Sequence, residues 1–210
     1  MNIKEKIELL GEASKYDVCG NAQRPNLPGV CTAWGPDGRC VNLYKVLMTN
    51  SCSYDCNFCT NRSSRNCPRT AFEPQELART FWHLYRGNYV DGLFLSSGVA
   101  GDPDRTMEMM IEGVTLLRQE FTGYVHMKII PGASYDLVKR ACGVADRVSI
   151  NVEAPGKDRL SCLSHDKDFK VDILRRAAWV KRMGHRGLIP AGHTTQFVVG
   201  PAGESDYEIM

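Results

Sequence analysis

From residue 43 to residue 199, short apolar runs alternate with longer stretches of helical periodicity, and few folds accept that order. Strands are predicted over 43–49, 92–97, 124–130, 147–152 and 194–199, with helices over 74–85, 104–119, 135–142 and 171–183. The segment 74–85 carries Pro74 in its first turn and places Leu77, Ala78, Phe81, Leu84 and Tyr85 at helical spacing. Over 104–119 the stripe is Met107, Met110, Ile111, Val114 and Leu117, and it reads as core. Strands that alternate with helices pair in parallel, with the helices packed outside, so the fold class is α/β.

The strands are two-faced. On 147–152 and just beyond, Val148, Ile150 and Val152 share one side, and Ser149, Asn151 and Glu153 share the other. On 124–130 the split is His126, Lys128 and Ile130 against Met127 and Ile129. Apolar faces go against helices. Polar faces must line an interior, which is costly unless ligand or water satisfies them. A barrel with a polar lumen fits this pattern better than a flat doubly wound sheet.

Residues 1–41 read as an N-terminal extension, with a short amphipathic helix over 4–13 and a Pro-, Gly- and Asn-rich stretch over 20–38 that is mostly loop. Residues 42–210 form the barrel domain. Ser205-Asp206-Tyr207-Glu208 has the pattern that starts a helix, yet the sequence stops at Met210. The expectation is a barrel cut off after its fifth strand, leaving 194–199 as an exposed edge; the alternative is a frayed tail. A net charge of +2 gives no warrant for nucleic acid as a partner. The basic clusters at Arg62 and Arg65 and from Lys181 to Arg186 read as solvated surface. No apolar run is long enough to span a bilayer, and residues 1–16 interleave Lys and Glu without the core of a signal peptide. The expectation is a cytoplasmic protein with no membrane partner.

Nine cysteines are many for a reducing compartment, and Cys19, Cys31, Cys40, Cys52, Cys56, Cys59 and Cys67 fall in the first third. Without export a disulfide framework is not expected, so the clustering points to metal. Cys52-x3-Cys56-x2-Cys59 directly follows the first strand of the alternation. Three thiolates can hold three irons of a four-iron cubane and leave the fourth open for chemistry. The alternative is a zinc site completed by Cys40. Cys19, Cys31, Cys40 and Cys67 are either ordinary thiols or a second metal site, iron–sulfur or zinc.

The triad, with Phe58 immediately before its last cysteine, resembles that of the radical S-adenosylmethionine (SAM) enzymes. The resemblance implies a partial (β/α)6 barrel and a [4Fe-4S] cluster at Cys52, Cys56 and Cys59. The open iron of that cluster would chelate the methionine amine and carboxylate of SAM. One electron then cleaves the sulfonium, and a 5'-deoxyadenosyl radical removes a substrate hydrogen. A one-electron reductant of flavodoxin or ferredoxin type is the implied partner. Ser96-Ser97-Gly98 stands where the superfamily often has Gly-Gly-Glu against the methionine amine, without the acidic residue. Asn151 and Glu153 resemble a polar pair presented to the ribose, with an internal Lys128–Glu153 ion pair as the alternative. Val198 and Gly200, in the segment Phe197-Val198-Val199-Gly200, resemble the stretch that packs on adenine, and Lys128 joins the cofactor-binding residues. Glu204 reads as helix-end chemistry.

A closer resemblance rests on 6–17 (KIELLGEASKYD), 35–40 (GPDGRC), 92–98 (GLFLSSG), 130–134 (IPGAS) and 203–206 (GESD). These segments resemble a radical SAM family assigned to DNA modification or repair and associated with a uracil-DNA-glycosylase-like partner. Members of that family are longer, with helix-hairpin-helix character near the C-terminus. The implied partners are therefore DNA and that protein, by resemblance alone; the alternatives are a radical SAM enzyme acting on a peptide or small molecule, or a non-catalytic iron–sulfur or zinc module.

Overall fold

The computed structural model describes residues 1–13, 27–34 and 40–210; Cys19 and most of the loop expected over 20–38 lie outside them. Helix α1 (Ile3–Ala13) precedes two strands, β1 (Val30–Trp34) and β2 (Cys40–Leu47). Then follow α2 (Pro74–Arg86), β3 (Gly92–Ser96), α3 (Pro103–Arg118), β4 (Val125–Lys128) and α4 (Tyr135–Val144). The chain continues through β5 (Arg147–Ser149), α5 (Lys157–Leu163), α6 (Arg175–His185), β6 (His193–Thr194) and α7 (Asp206–Ile209). The strands make one sheet in chain order. β1 is antiparallel to β2, and each later neighbour is parallel to the one before it.

Register sorts the two faces as the period of two requires. Val46, Leu95, Met127 and Val148 are successive partners across β2 to β5, and all four are fully buried. They belong to one core with Met107, Met110, Val114 and Leu117 of α3, so the methionine stripe is core. Each such side chain contributes roughly 1.5–3 kcal/mol by leaving water. On the other face the partners are Lys45, Phe94 and His126, then Lys128 and Ser149. These polar groups satisfy one another in part. His126 Nε2 lies 2.8 Å from Ser149 Oγ, and the Lys45 and Lys128 amines sit 4.9 and 5.9 Å from the Phe94 ring centre.

The helices begin and end for local reasons. Asp102 caps α3 by accepting the N–H groups of Asp104 at 2.6 Å and Arg105 at 3.1 Å, and Pro103 presets the first turn. α2 opens with Pro74 while Glu76 accepts the N–H of Glu73 at 2.9 Å. The α7 capping box is formed, with Ser205 and Glu208 each accepting the other's backbone N–H.

Four expectations need correction. Val30–Trp34, placed within the loop over 20–38, is a strand, because pairing with β2 overrides the surrounding Gly and Pro. The fifth strand of the alternation, expected over 194–199, is only His193–Thr194 plus an isolated bridge between Glu153 and Phe197. That edge is short, which limits its reach for other strands. A seven-residue helix, Lys157–Leu163, was not expected at all; only Leu160 and Leu163 are buried, too few for a periodic signal. Finally, the helix expected over 171–183 starts as a π-helical turn, Phe169–Leu174, capped where Asp168 accepts the Val171 N–H at 2.6 Å.

Candidate metal and cofactor site

The polar face of the sheet and the loop after β2 enclose a cavity of about 660 Å³, a size that suits a cofactor-scale ligand. Cys52, Cys56 and Cys59 all line it. Their loop is tied down at both flanks. Thr49 Oγ1 donates to the Thr70 carbonyl at 2.8 Å, and the Asn50 amide bonds Pro68 and Thr70, each at 2.8 Å. Outside the loop sit the end of α5 and the segment after it: Asn57 N–H donates to the Leu163 carbonyl at 2.8 Å, and Asp55 N–H to Asp166 at 2.6 Å.

Each cysteine sulfur has a polar neighbour. The N–H of Val99 donates to Cys52 Sγ at 3.4 Å, and that of Asn61 to Cys59 Sγ at 3.4 Å. Cys56 Sγ lies 3.2 Å from the buried Ser164 hydroxyl, which donates once the sulfur is a thiolate. Burial pushes the Cys59 thiol up, against the opposing pull of the Asn61 N–H. Among the described residues no three His, Cys, Asp or Glu side chains converge on a single ion. A cubane holds each thiolate on a different iron and so takes a wider triangle than one ion does. Three thiols lining one cavity are the donor type that an iron–sulfur cluster takes.

Cys40 decides against the zinc alternative. It begins β2, about 23 Å along that strand (seven residues at ~3.3 Å) from Leu47, which lines the cavity with the triad while Cys40 does not. Of the cysteines read either as ordinary thiols or as a second metal site, Cys31, Cys40 and Cys67 are among the described residues. Cys31 is opposite Leu43, three residues from Cys40, so the two point to opposite faces of the sheet. Cys67 lies in the loop before α2, and Cys19 lies outside the described residues.

The rest of the cavity wall is polar and partly unsatisfied. Ser97 Oγ and Asn151 Oδ1 are buried without a hydrogen-bond partner, and both residues line the cavity. Such atoms call for a ligand. Ser96, Gly98, Phe58, Lys128, Glu153 and Val198 line it too. Gly98 is required by space: a Cβ there would meet the Ser51 carbonyl oxygen at 2.5 Å. Gly200 is outside the cavity, in a turn at φ +102°, a conformation that favours glycine. Glu204 turns back on that bend and accepts the N–H groups of Gly200 and Ala202, so its work is there and not at a helix end.

Glu153 does form an internal ion pair, and among the described residues its partner is Lys167, at 3.1 Å. Lys128 donates to Gln196 Oε1 at 2.8 Å. Both members of the Glu153–Lys167 pair are more than nine-tenths buried. Burial alone would lower the Lys167 amine, but the Glu153 carboxylate and the Cys56 thiol outweigh it and hold the amine above the ordinary lysine range. Glu153 also adopts a positive φ of 67°, a strained conformation for a residue with a side chain. Ser164 and Lys167 were missed in the sequence because they lie in a short polar stretch without periodicity, and Gln196 because a lone polar residue on a predicted strand carries no signal of its own.

A family model described as the radical SAM superfamily matches residues 46–210. The chain belongs to the radical SAM superfamily. Members of that superfamily are enzymes that use a [4Fe-4S] cluster and SAM and draw one electron from a reductant. Comparison with curated proteins gives no match. Among solved structures, this radical SAM chain is similar to HydG, a maturase of the [FeFe]-hydrogenase, with a TM-score of 0.61 at 15% identity over 77% of the chain. A second HydG, from Carboxydothermus hydrogenoformans, gives a TM-score of 0.54 at 14% identity over 66%. Methylornithine synthase (PylB) gives 0.57 at 14% identity over 72%. At these identities the likeness is one of fold. The chain spans only 35%, 33% and 42% of the lengths of those three proteins. Among the described residues no helix is long and apolar enough to cross a membrane.

Proposed function

We propose that this chain is the catalytic barrel of a radical SAM enzyme, with a [4Fe-4S] cluster on Cys52, Cys56 and Cys59 and SAM in the adjoining cavity. The observation that supports it most is the pairing of the triad with the two unpartnered buried atoms, Ser97 Oγ and Asn151 Oδ1, in one cavity. When bound, cluster and SAM supply one-electron cleavage of the sulfonium and removal of a substrate hydrogen. The chain's own residues hold and enclose. Ser97 and the backbone at Gly98 face the methionine end, and Asn151 and Glu153 face the ribose. Lys167 occupies Glu153 Oε1, so Oε2 is the oxygen offered to a hydroxyl. Phe197 and Val198 supply apolar surface for a base, while Phe58 and Lys128 complete the wall. With cluster and SAM in place, the lining side chains and the cofactor together displace water from the reacting centre.

Nucleic acid as the target, with a uracil-DNA-glycosylase-like partner, is the finer reading, and it rests on the sequence resemblance. A flavodoxin or ferredoxin is the reductant proposed.

The test is anaerobic reconstitution followed by reduction in the presence of SAM, scoring iron content and 5'-deoxyadenosine. Replacing Cys52, Cys56 or Cys59 with Ala should abolish both a SAM-responsive cluster and the product. A variant of the triad with normal iron content and normal SAM cleavage refutes the assignment. Adding DNA, with salt varied, tests the substrate, since phosphate contacts impose a steep salt dependence.

A further inference from the structure

We infer that Arg69 is the positioning residue of the cysteine loop and the counter-charge to the cluster that loop would hold; the second half rests on the iron–sulfur reading above. One guanidinium binds both ends of the triad. Arg69 Nη1 donates to the carbonyls of Asn50 and Asn61, the latter at 2.8 Å. Its Nη2 donates to the carbonyls of Arg62 at 2.7 Å and Arg65 at 3.0 Å. Asn50 stands two residues before Cys52, and Asn61 two residues after Cys59. The Asn61 N–H is the one that bonds Cys59 Sγ at 3.4 Å, so Arg69 and a cysteine sulfur grip the same residue from its two ends.

The chemistry calls for arginine. Four carbonyls, one from residue 50 and three from 61–65, need a planar fork with several fixed donors, and the three donors on a single lysine nitrogen cannot reach them all. This grip acts before any metal arrives, because every partner is backbone. It places the three thiols on one short, closed loop, whose stem is the bridge between Thr49 and Ala71. Less chain entropy is then left to lose when a cluster binds.

The charge has a separate role. Arg69 is half-buried, and its hydrogen-bond partners are neutral carbonyls. It belongs to none of the ion pairs among the described residues, whereas its neighbour Arg62 faces Asp55 at 3.9 Å. The path from guanidinium to Cys59 Sγ runs through the single residue Asn61, which bounds the separation at about 10 Å. A cation at that range, partly shielded from salt, favours the more negative state of a thiolate-bound cluster.

Two variants of the full chain separate these roles. In metal-free protein, Arg69→Gln should raise amide hydrogen exchange across 52–61 by about tenfold or more while β3 stays protected. Arg69→Lys should also loosen the loop, because it keeps the charge and loses the fork. After anaerobic reconstitution, the cluster midpoint should move to more negative potential in Arg69→Gln and stay near wild type in Arg69→Lys. Unchanged loop exchange in both variants overturns the clamp, and an unchanged midpoint in Arg69→Gln overturns the counter-charge. If Arg69→Gln does not fold, Arg69→Lys alone decides the clamp by its loop exchange, and a midpoint displaced in Arg69→Lys overturns the counter-charge. Should wild-type protein take up no four-iron cluster, the proposed function fails and the counter-charge with it, while the exchange comparison still judges the clamp.

Discussion

Replacing Glu153 with Gln should leave the Lys167 ammonium buried and unpaired. The pair is 3.1 Å apart with side chains 7–8% exposed, so neither charge is hydrated from behind. Breaking such a pair from one side costs about 3–5 kcal/mol. One flank faces the cavity, where water can enter, which favours the lower end, about 3 kcal/mol. For a chain of this size each kcal/mol lowers the melting temperature by about 2–4 °C, so a fall of about 6–12 °C is expected. Lys167→Met should cost a similar amount by stranding the carboxylate. The double variant, Glu153→Gln with Lys167→Met, should be less destabilised than either single change, because no uncompensated charge remains. Thermal denaturation of metal-free protein followed by circular dichroism, as a double-mutant cycle, measures all three. If the two single costs simply add, the groups do not act as a pair and the reasoning is wrong.

Two further expectations follow from local geometry. Gly98→Ala pushes a methyl into the Ser51 carbonyl and toward Cys52 Cβ, 3.3 Å away; it should cost about 1–3 kcal/mol and lower iron uptake on reconstitution, read by melting and iron assay. Burial pushes the Cys142 thiol up to about 12, so in metal-free protein at pH 8.5 it should resist iodoacetamide while the exposed Cys40 and Cys162 react, as peptide mass mapping will show.

What the sequence carried well was periodicity. The alternation of Val148 and Ile150 with Ser149 and Asn151 separated core from lumen, and the structure keeps that division. Helix starts with Pro74 and the Ser205 box were legible because capping chemistry is local. Elements whose stability comes from distant partners were not. Val30–Trp34 owes its strand to β2, and the end of the alternation frays because Val152 and Glu153 both turn their N–H groups to the Gln196 carbonyl, at 3.1 and 3.0 Å, in place of a regular ladder. At the site, the spacing of Cys52, Cys56 and Cys59 was visible within eight residues. The carboxylate partner was not: Lys128 and Lys167 look alike in sequence, and only the chain's path puts Lys167 beside Glu153. Arg69 was hidden in a different way, since a basic residue near Arg62 and Arg65 reads as surface until its four carbonyls are seen.

Each strand of the sheet lies beside its predecessor in the chain, so the sheet can grow strand by strand as a nascent polypeptide emerges. The cysteine loop follows another clock. Its outer wall is Ser164, 108 residues beyond Cys56, and Asp166, 111 residues beyond Asp55. At about 5–20 residues per second of synthesis, roughly 5–20 s pass between the appearance of the thiols and that of the wall. During that interval the three cysteines stand on a half-built barrel, open to oxidants and stray metal ions. On the proposed cluster assignment, iron loading then belongs after the outer wall has been made.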